Sequence, residues 1–451
     1  MTELLELAER VAGWAAAGEE VEVFATRSRG TSVRAYRGAV ESLSSAEPAG
    51  VGVRVVVGPR LGFASCGTLD EAVLKETLQE ARDNAAYAAA DPFVALTAPD
   101  GVAPPDLASR ICRDDLAVVP TQVKVELALE IERRALASDR RITGVRTATY
   151  SDGLAEGAIF TTTGVAGWSR MSYCSVGVQT LAEDGDQTQT GFGYDVGRHP
   201  DELDVERAAS EGVERATRLL GSTKPRSQRL TVILDPDVTA DLLGIIGGTL
   251  SGEAVLKGRS LFANRVGELV AAPAVTLVDD PTNAASLGAE PFDGEGLARR
   301  RNVLLDAGVL NGYLYHSYAA RRAGTVSTGS AARGYASTPG IGAPALTLLP
   351  GTASQADLIA QVGDGVLVQS VSGLHSGVNP VSGDFSVGAT GLVIQGGALA
   401  EPFREATIAS TIQRMLRDVV AVGGDRRWLP GGAAGVSLVI SDVSLGGAST
   451  A

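Results

Sequence analysis

Histidine, the commonest base in nucleophilic catalysis, occurs at only three positions in this 451-residue sequence. We expect His199 to be a solvated loop residue and His316 to be packed among its aromatic neighbours. His375 lies in the run Ser-Gly-Leu-His-Ser-Gly-Val-Asn-Pro-Val-Ser-Gly-Asp-Phe-Ser, whose glycines let another backbone approach. Ser372, His375 and Asp384 could form a catalytic set there. However, the sequence lacks the Gly-x-Ser-x-Gly turn that exposes a nucleophilic serine.

The run around His375 is also suited to holding an extended peptide. Backbone hydrogen bonds to such an edge fix the register of a bound chain while tolerating many side chains. The polar groups of the run could meet a peptide backbone, and the phenylalanine could close one wall. The predicted substrate-binding residues are His375, Ser376, Asn379, Ser382, Asp384 and Phe385. The alternative is a structural loop that dimerisation buries.

Two other groups of residues could carry chemistry. The carboxylates of Asp279, Asp280, Asp293 and Glu295 could exchange protons or bind a cation, but we expect them to be solvated turn residues. The run Gly252–Ser260 has its lysine before the glycine, which is the reverse of the order in a phosphate-binding loop.

Composition excludes several classes of partner. The chain has 39 basic and 53 acidic residues, a net charge of −14, and only four of the basic residues are lysines. A groove for nucleic-acid phosphates or a polybasic membrane anchor is therefore not expected. The three cysteines lack the spacing of a zinc pair and are too few for a disulfide scaffold. With an acidic N-terminus and no long apolar run, these features predict a soluble cytoplasmic protein.

The first half of the sequence alternates helical and strand patterns, which predicts an α+β layer. Apolar spacing indicates a helix over residues 3–17, and alternation indicates strands at Val21–Ala25, Ser32–Tyr36, Glu41–Ser45 and Val51–Val57. Turns are expected at Gly30, Arg37-Gly38 and Pro48–Gly50. A second helix is expected to begin with Thr68 and Glu71 in capping-box spacing.

A proline-rich stretch, residues 91–120, is expected to be a linker or an arm. The pattern beyond it predicts a helix at 121–137 with Val123, Leu127 and Ile131 inward. Strands over 142–195 and a charged helix at 201–219 are expected to follow.

The second half is predicted to be mostly β, as barrel-like or twisted sheets with a few helices. A strand at Leu230–Leu234 leads into a helix that Asp235-Pro236 starts and that breaks at Gly247-Gly248; another helix is expected near 404–419. The predicted regions are an N-terminal α+β domain at 1–90, the linker at 91–120, a central α+β region at 121–225 and a β-rich C-terminal domain at 226–451.

One stretch of the second half consists of the run Leu256-Lys-Gly-Arg-Ser-Leu-Phe262, followed by Arg265–Glu268 and Val275–Thr282. It resembles the TldD/TldE (PmbA) family, also called the modulator of DNA gyrase family. Arg27–Arg34 and Gly38–Ser42 resemble its N-terminal domain, and Tyr318–Gly324 its C-terminal domain. The run Gly373–Ala389 is similar to the TldE branch, and the motifs keep their order along essentially the whole chain.

The resemblance implies a two-subunit zinc metalloprotease, in which TldD carries His-Glu-x-x-x-His and a later cysteine ligand. Counted back from Lys257, the first motif falls on 243–248, where Leu243, Gly244 and Gly248 replace its histidines and glutamate. No cysteine follows Cys174, so the third ligand is missing too. Catalytic zinc needs about three protein ligands and a base for its water, none of which this segment offers.

These absences predict a non-catalytic TldE-like subunit with no catalytic or metal-binding residue and no cofactor of its own. Zinc is expected in a TldD-like partner, with which the chain would form a chamber that degrades or processes unfolded or extended peptides. Alone, the chain is expected to form a homodimer. One alternative is a hydrolase with its own site around His375 and Asp384. Another is a binding or regulatory module, suggested by the gyrase label of the family.

Overall fold

The computed structural model describes residues 2–430 and 432–448. These residues form two β-rich halves, each built on its own sheet. The first is a seven-stranded antiparallel sheet in the order β4-β3-β1-β5-β6-β7, with β2 paired to β1. Its strands are β1 (Glu20–Tyr36), β2 (Ala39–Ala46), β3 (Ala49–Val57), β4 (Arg60–Cys66), β5 (Ile142–Thr161), β6 (Ala166–Asp184) and β7 (Gln187–Gly197). Residues 1–90 and 121–225 therefore share one sheet, because β1 pairs with β5.

Amphipathic helices cover the buried face of this sheet. Leu4, Ala8 and Val11 lie on one side of the first helix and are buried, as three- and four-residue spacing requires. These helices are α1 (Glu3–Ala12), α2 (Glu71–Tyr87), α4 (Thr121–Ser138) and α5 (Val205–Thr217), whereas the short helix α3 (Leu107–Ile111) packs against Met171 and Ala289. Two 3₁₀ turns, Asp114–Val118 and Pro200–Glu202, complete this half.

The C-terminal half is built on a sheet that closes on itself, which confirms the barrel-like expectation. Its strands follow the order β17-β16-β15-β8-β21-β18, and β17 also pairs with β21 to close the ring. They are β8 (Gln228–Leu234), β15 (Gly365–Ser372), β16 (Asp384–Gln395), β17 (Ala398–Thr411), β18 (Val419–Val422) and β21 (Leu438–Gly446). Their inward side chains belong to the largest hydrophobic core of the described chain.

Short strands and helices pack around the closed sheet. A second sheet comprises β9 (Leu277–Asp279), β10 (Asn302–Asp306), β11 (Val309–Leu310), β14 (Leu346–Leu348), β19 (Arg427–Trp428) and β20 (Ala434–Gly435). A two-stranded ribbon comprises β12 (Ala331–Ala332) and β13 (Gly340–Ile341). The helices are α6 (Pro236–Thr249), α7 (Gly252–Leu256), α8 (Ser317–Ala323), α9 (Gln355–Val362), α10 (Leu374–Gly377) and α11 (Ile412–Arg417). Mixed α+β architecture is thus confirmed.

Buried ionic contacts join the two halves. Arg54 Nε donates a hydrogen bond of 2.7 Å to Glu22 Oε1, and Arg333 Nη1 forms an ion pair with the same carboxylate at 2.7 Å. The ion pair lacks the alignment of a hydrogen bond. Arg333 also lies over the Phe24 ring, 4.4 Å from its centroid. Two residues further on, the Tyr335 ring packs so closely against the first sheet that it leaves no room for a side chain at position 50.

Several predictions for the first half were wrong in detail. Gly30 is not a turn but lies inside β1, because the strand continues through it to pair with β2 and β5. Asp70, not Thr68, caps α2 and accepts hydrogen bonds from two backbone N–H groups. In α4, Val123 is more than a third exposed and Leu127 is only half-buried, whereas Lys124, Ala128 and Ile131 are buried. The first helix ends at Ala12 rather than at 17.

Two helix predictions for the second half were also wrong. The helix that Asp235 caps continues through Gly247 and Gly248, because Leu243 and Ile246 anchor that turn in the core. The first half of the predicted helix near 404–419, residues 404–411, belongs to strand β17, and only Ile412–Arg417 is helical. None of the described helices combines the length and the apolar character needed to cross a bilayer.

Candidate functional site

A groove of about 700 Å³ brings together two segments that the sequence singled out. One wall is formed by α6 and the residues that follow it, and the other by α10 and the loop after it. The lining residues are Gly244, Ile245, Gly248, Thr249, Ala254, Arg259, Leu374, His375, Val378, Pro380 and Val381. The positions of the missing metal motif thus lie beside the predicted peptide-binding segment.

Two glycines give the α6 wall its smooth surface. Gly244 and Gly248 are four residues apart, so they lie one above the other on the same helix face. A Cβ atom built on either glycine meets no neighbouring atom within 4 Å, so the absent side chains would extend into open space. Leu243, in contrast, is 1% exposed and packs in the core. The bare face of α6 therefore leaves room for a ligand in the groove.

These residues do not fit a zinc ion. Gly244 and Gly248 carry no donor atom, and Leu243 is apolar and faces away from the groove. The stretch Val422–Pro430, where the third ligand is expected, offers the carboxylate of Asp425. That carboxylate already accepts hydrogen bonds from Ser437 N at 2.9 Å and from Ser437 Oγ at 2.6 Å. Within residues 2–430 and 432–448, no three histidine, cysteine or acidic side chains are grouped as metal ligands.

His375 and Ser376 lie on the short helix α10, which follows Gly373 in the left-handed conformation with φ of 79°. Both side chains are exposed, and His375 lines the groove. Ser376 Oγ donates to the carbonyl of Gly373 at 3.2 Å and does not line the groove. Of the two, only the histidine is placed to contact a ligand there.

The polar side chains of the following loop stabilise its own shape. Asn379 Oδ1 accepts hydrogen bonds from the backbone N–H groups of Val381 at 2.9 Å and Ser382 at 3.2 Å. Ser382 Oγ in turn donates to Asp384 Oδ2 at 2.6 Å. Asn379, Ser382 and Asp384 do not line the groove, but they fix a turn that presents the apolar Pro380 and Val381 to it.

Phe385 does not form a wall of the groove, contrary to the expectation. The alternation of strand β16 points Asp384 and Ser386 outward and Phe385 and Val387 inward. The Phe385 ring is 3% exposed and belongs to the core inside the closed sheet. The catalytic set imagined at Ser372, His375 and Asp384 is not assembled either. No hydrogen bond joins these three side chains in the described structure, and Asp384 is bound to Ser382.

The carboxylates expected in solvated turns are mostly buried. Asp279, Asp293 and Glu295 are each less than 5% exposed. Burial raises the pKa of Asp279 and of Asp293 to about 6. Asp293 accepts hydrogen bonds from three backbone N–H groups, and Glu295 accepts two from Ser317 at 2.8 and 2.6 Å. Asp293 and Glu295 are therefore structural, since backbone or hydroxyl donors bind their carboxylates, whereas Asp279 accepts one hydrogen bond, from Ala345 N at 2.9 Å.

His316 is buried, as expected, but its partners are polar. Its Nδ1 accepts a hydrogen bond of 3.0 Å from the backbone N–H of Ala319, and its Nε2 lies 2.9 Å from Glu253 Oε1. The Ala319 bond makes Nδ1 the acceptor, so Nε2 carries the proton and donates to Glu253. Both ring nitrogens of His316 are thus hydrogen-bonded. The residue lines a second cavity, of about 370 Å³, between the two halves of the chain.

Arg259 is a groove residue that the sequence reasoning missed. It follows Gly258, which has a positive φ of 65° and ends the turn after α7. Its side chain is exposed and forms no ion pair with an acidic residue of the described chain. Its place in the Lys-Gly-Arg-Ser motif was the one indication in the sequence that Arg259 could be functional. That it lies beside Gly244 and Gly248 follows only from the fold.

Comparisons with known proteins cover most of the chain. A model of PmbA/TldA metallopeptidase domain 1 matches residues 21–85, the central-domain model matches 114–220 and the C-terminal-domain model matches 227–447. The three matches follow one another in the order of the domains.

Relatives of similar length are known from several bacteria. Metalloprotease PmbA of Escherichia coli O157:H7 is 27% identical over 90% of this chain and 87% of that protein. The metalloprotease PmbA homolog of Haemophilus influenzae is 27% identical over 91% of this chain and 88% of that protein. The metalloprotease TldD homolog of the same organism is 27% identical over 88% and 86% of the two chains.

Solved structures share the whole fold. A Thermotoga maritima protein described as a candidate modulator of DNA gyrase superposes with a TM-score of 0.90 at 25% identity, covering 98% of this chain and 99% of that one. TldE from Thermococcus kodakarensis superposes with a TM-score of 0.89 at 23% identity, over 98% and 99% of the two chains. The second similarity concerns the fold alone.

Proposed function

This chain belongs to the PmbA/TldD metallopeptidase family, and we propose that it serves there as a non-catalytic, TldE-like subunit. In this role it binds unfolded or extended peptides and assembles with a TldD-like partner that holds the zinc ion. The chain contributes part of the chamber in which the partner degrades or processes the peptide, and it does so in the cytoplasm.

The observation that carries the proposal is the composition of the groove. On the face of α6 where other family members would carry the metal motif, this chain has Gly244 and Gly248. This face therefore offers space but no metal ligand and no base. The opposite wall presents His375, Val378 and Pro380, which can contact a peptide without cleaving it. Binding without an assembled catalytic set is what a supporting subunit requires.

Cleavage by this chain alone has no support in the geometry. His375 has neither a nucleophile nor an orienting carboxylate bound to it within the described residues, and a general base needs both in reach. Peptide cleavage is therefore assigned to the partner, and this chain's residues bind and orient the substrate.

Assembly and metal content test this assignment together. The full chain is purified alone and after co-expression with a family member whose sequence carries His-Glu-x-x-x-His. We expect a homodimer alone and a heterodimer with the partner by light scattering. Elemental analysis should find far less than one zinc per molecule in the chain alone and about one zinc per heterodimer. Stoichiometric, tightly held zinc in the chain alone, or no complex at micromolar concentrations, would contradict the proposal.

A further inference from the structure

The groove differs in charge from the rest of the protein. The whole chain carries 53 acidic against 39 basic residues. None of the groove's lining residues is acidic, and two of them, Arg259 on one wall and His375 on the other, are basic. The remaining lining side chains are apolar or small, apart from Thr249. A site with this composition attracts an anionic group attached to an apolar chain.

We propose that this groove selects extended peptides that carry a carboxylate, and that Arg259 is the residue that recognises it. The inference rests on the proposed peptide-binding function and names its substrate class. Nearby arginines such as Arg265 already form an ion pair, in that case with Glu268 at 2.8 Å. Arg259 has no such partner in the described chain, so its guanidinium is available to a ligand.

The chemistry of the side chain favours a carboxylate. A guanidinium is charged at every physiological pH and presents paired N–H groups that match the two oxygens of a carboxylate. His375 on the opposite wall adds a second donor without a competing acid. Two sources could supply the carboxylate: the C-terminus of a peptide, or an aspartate or glutamate side chain within it.

Binding to the purified full chain tests the selection without any cleavage. Fluorescence anisotropy measures the Kd of three labelled octapeptides: a neutral peptide with an amidated C-terminus, the same peptide with a free C-terminal acid, and the amidated peptide with one internal glutamate. We expect one or both anionic peptides to bind about fivefold more tightly than the neutral one, as suits an exposed ion pair. This preference should decrease as the salt concentration rises from 50 to 500 mM, because salt screens the ion pair. The affinity that the apolar wall contributes should not decrease.

Two variants decide whether Arg259 is responsible. Arg259→Gln should abolish the preference by bringing the Kd of the anionic peptides to that of the neutral peptide, whereas Arg259→Lys should keep part of it. Arg140→Gln removes an exposed arginine in the turn after α4 and serves as the matched control, with the preference intact. The exposed position of Arg259 makes misfolding of its variants unexpected, and circular dichroism checks this.

The outcomes separate this inference from the proposed function. Equal Kd values for all three peptides, or a preference that survives Arg259→Gln, would overturn the role of Arg259 while peptide binding stands. Failure of every peptide to bind would overturn both proposals. A preference for the free terminal acid alone, or for the internal glutamate alone, supports the inference and identifies the source of the carboxylate.

Discussion

Gly248 of helix α6 and His375 of helix α10 line the same groove, although they lie in distant parts of the sequence. The pairing places a position of the missing metal motif beside the segment predicted to bind peptide. Under the proposed function, this groove is the surface with which a chain that lacks metal ligands would still bind a peptide.

A bulky side chain at position 248 should block the groove without unfolding the protein. A Cβ atom at Gly248 meets nothing within 4 Å, so the ring of Gly248→Trp extends into the cavity. We expect peptide affinity to fall at least tenfold in anisotropy measurements, with an unchanged unfolding midpoint. Unaltered peptide binding in a folded Gly248→Trp protein would show that the substrate lies elsewhere.

The two adjacent glycines of α6 should respond differently to alanine. Alanine is favoured over glycine inside a helix by up to about 1 kcal/mol, and position 248 has room for the methyl group, so Gly248→Ala should stabilise the protein. At Gly247 the methyl group would lie 2.8 Å from Leu346 Cδ2, which offsets that gain. Urea denaturation of both variants measures the difference. A Gly247→Ala protein more stable than Gly248→Ala would contradict the packing described.

The buried ion pairs between the two halves should make Glu22 critical for folding. Glu22 pairs with both Arg54 and Arg333, so Glu22→Gln leaves the buried Arg333 without its ion-pair partner and leaves Arg54 with Glu295 alone, at 3.6 Å. We expect a loss of about 3–5 kcal/mol in the free energy of unfolding. Arg333→Met should lower the free energy of unfolding by less, because Glu22 still pairs with Arg54 and the methionine side chain can pack on Phe24. A Glu22→Gln protein within 1 kcal/mol of the wild type would argue against this network.

Asp279 should make the protein less stable as the pH rises. Burial raises its folded-state pKa from 3.8 to about 6, so the folded protein holds this proton more tightly than the unfolded chain. The stabilisation is complete below about pH 4 and is lost as the pH rises through 6, on the order of 3 kcal/mol. Asp279→Asn removes this loss and keeps an acceptor for Ala345 N. The unfolding free energies at pH 5 and pH 8 should therefore differ less in the variant than in the wild type, where Asp279 and Asp293 both contribute; identical pH slopes in both proteins would refute the assignment.

The sequence patterns predicted local structure well where local and long-range preferences agree. The predicted strands at Val21–Ala25 and Val51–Val57 and the start of α6 at Asp235-Pro236 are confirmed. The segment near 404–419 was misread because its apolar spacing fits a helix. There, pairing of β17 with both β16 and β21 closes the sheet, and this long-range gain outweighs local periodicity.

The site was predictable only in part. Motif spacing identified positions 243–248 and the run around His375, but not that they share a groove. The role of Arg259 could not be read from its neighbours in sequence, because its neighbours in the groove belong to α6 and to the loop after α10. Phe385 was misassigned because strand alternation, fixed by the closed sheet, decides which side chains face the core.

The central claim is tested most directly by the initial rate of peptide hydrolysis in three samples: this chain alone, its TldD-like partner alone, and the two co-expressed. We predict no hydrolysis by this chain alone, with or without added zinc. The co-expressed complex should cleave faster than the partner alone and lose its activity with a chelator. Chelator-sensitive cleavage by this chain alone would contradict the account, and so would a complex no faster than the partner alone.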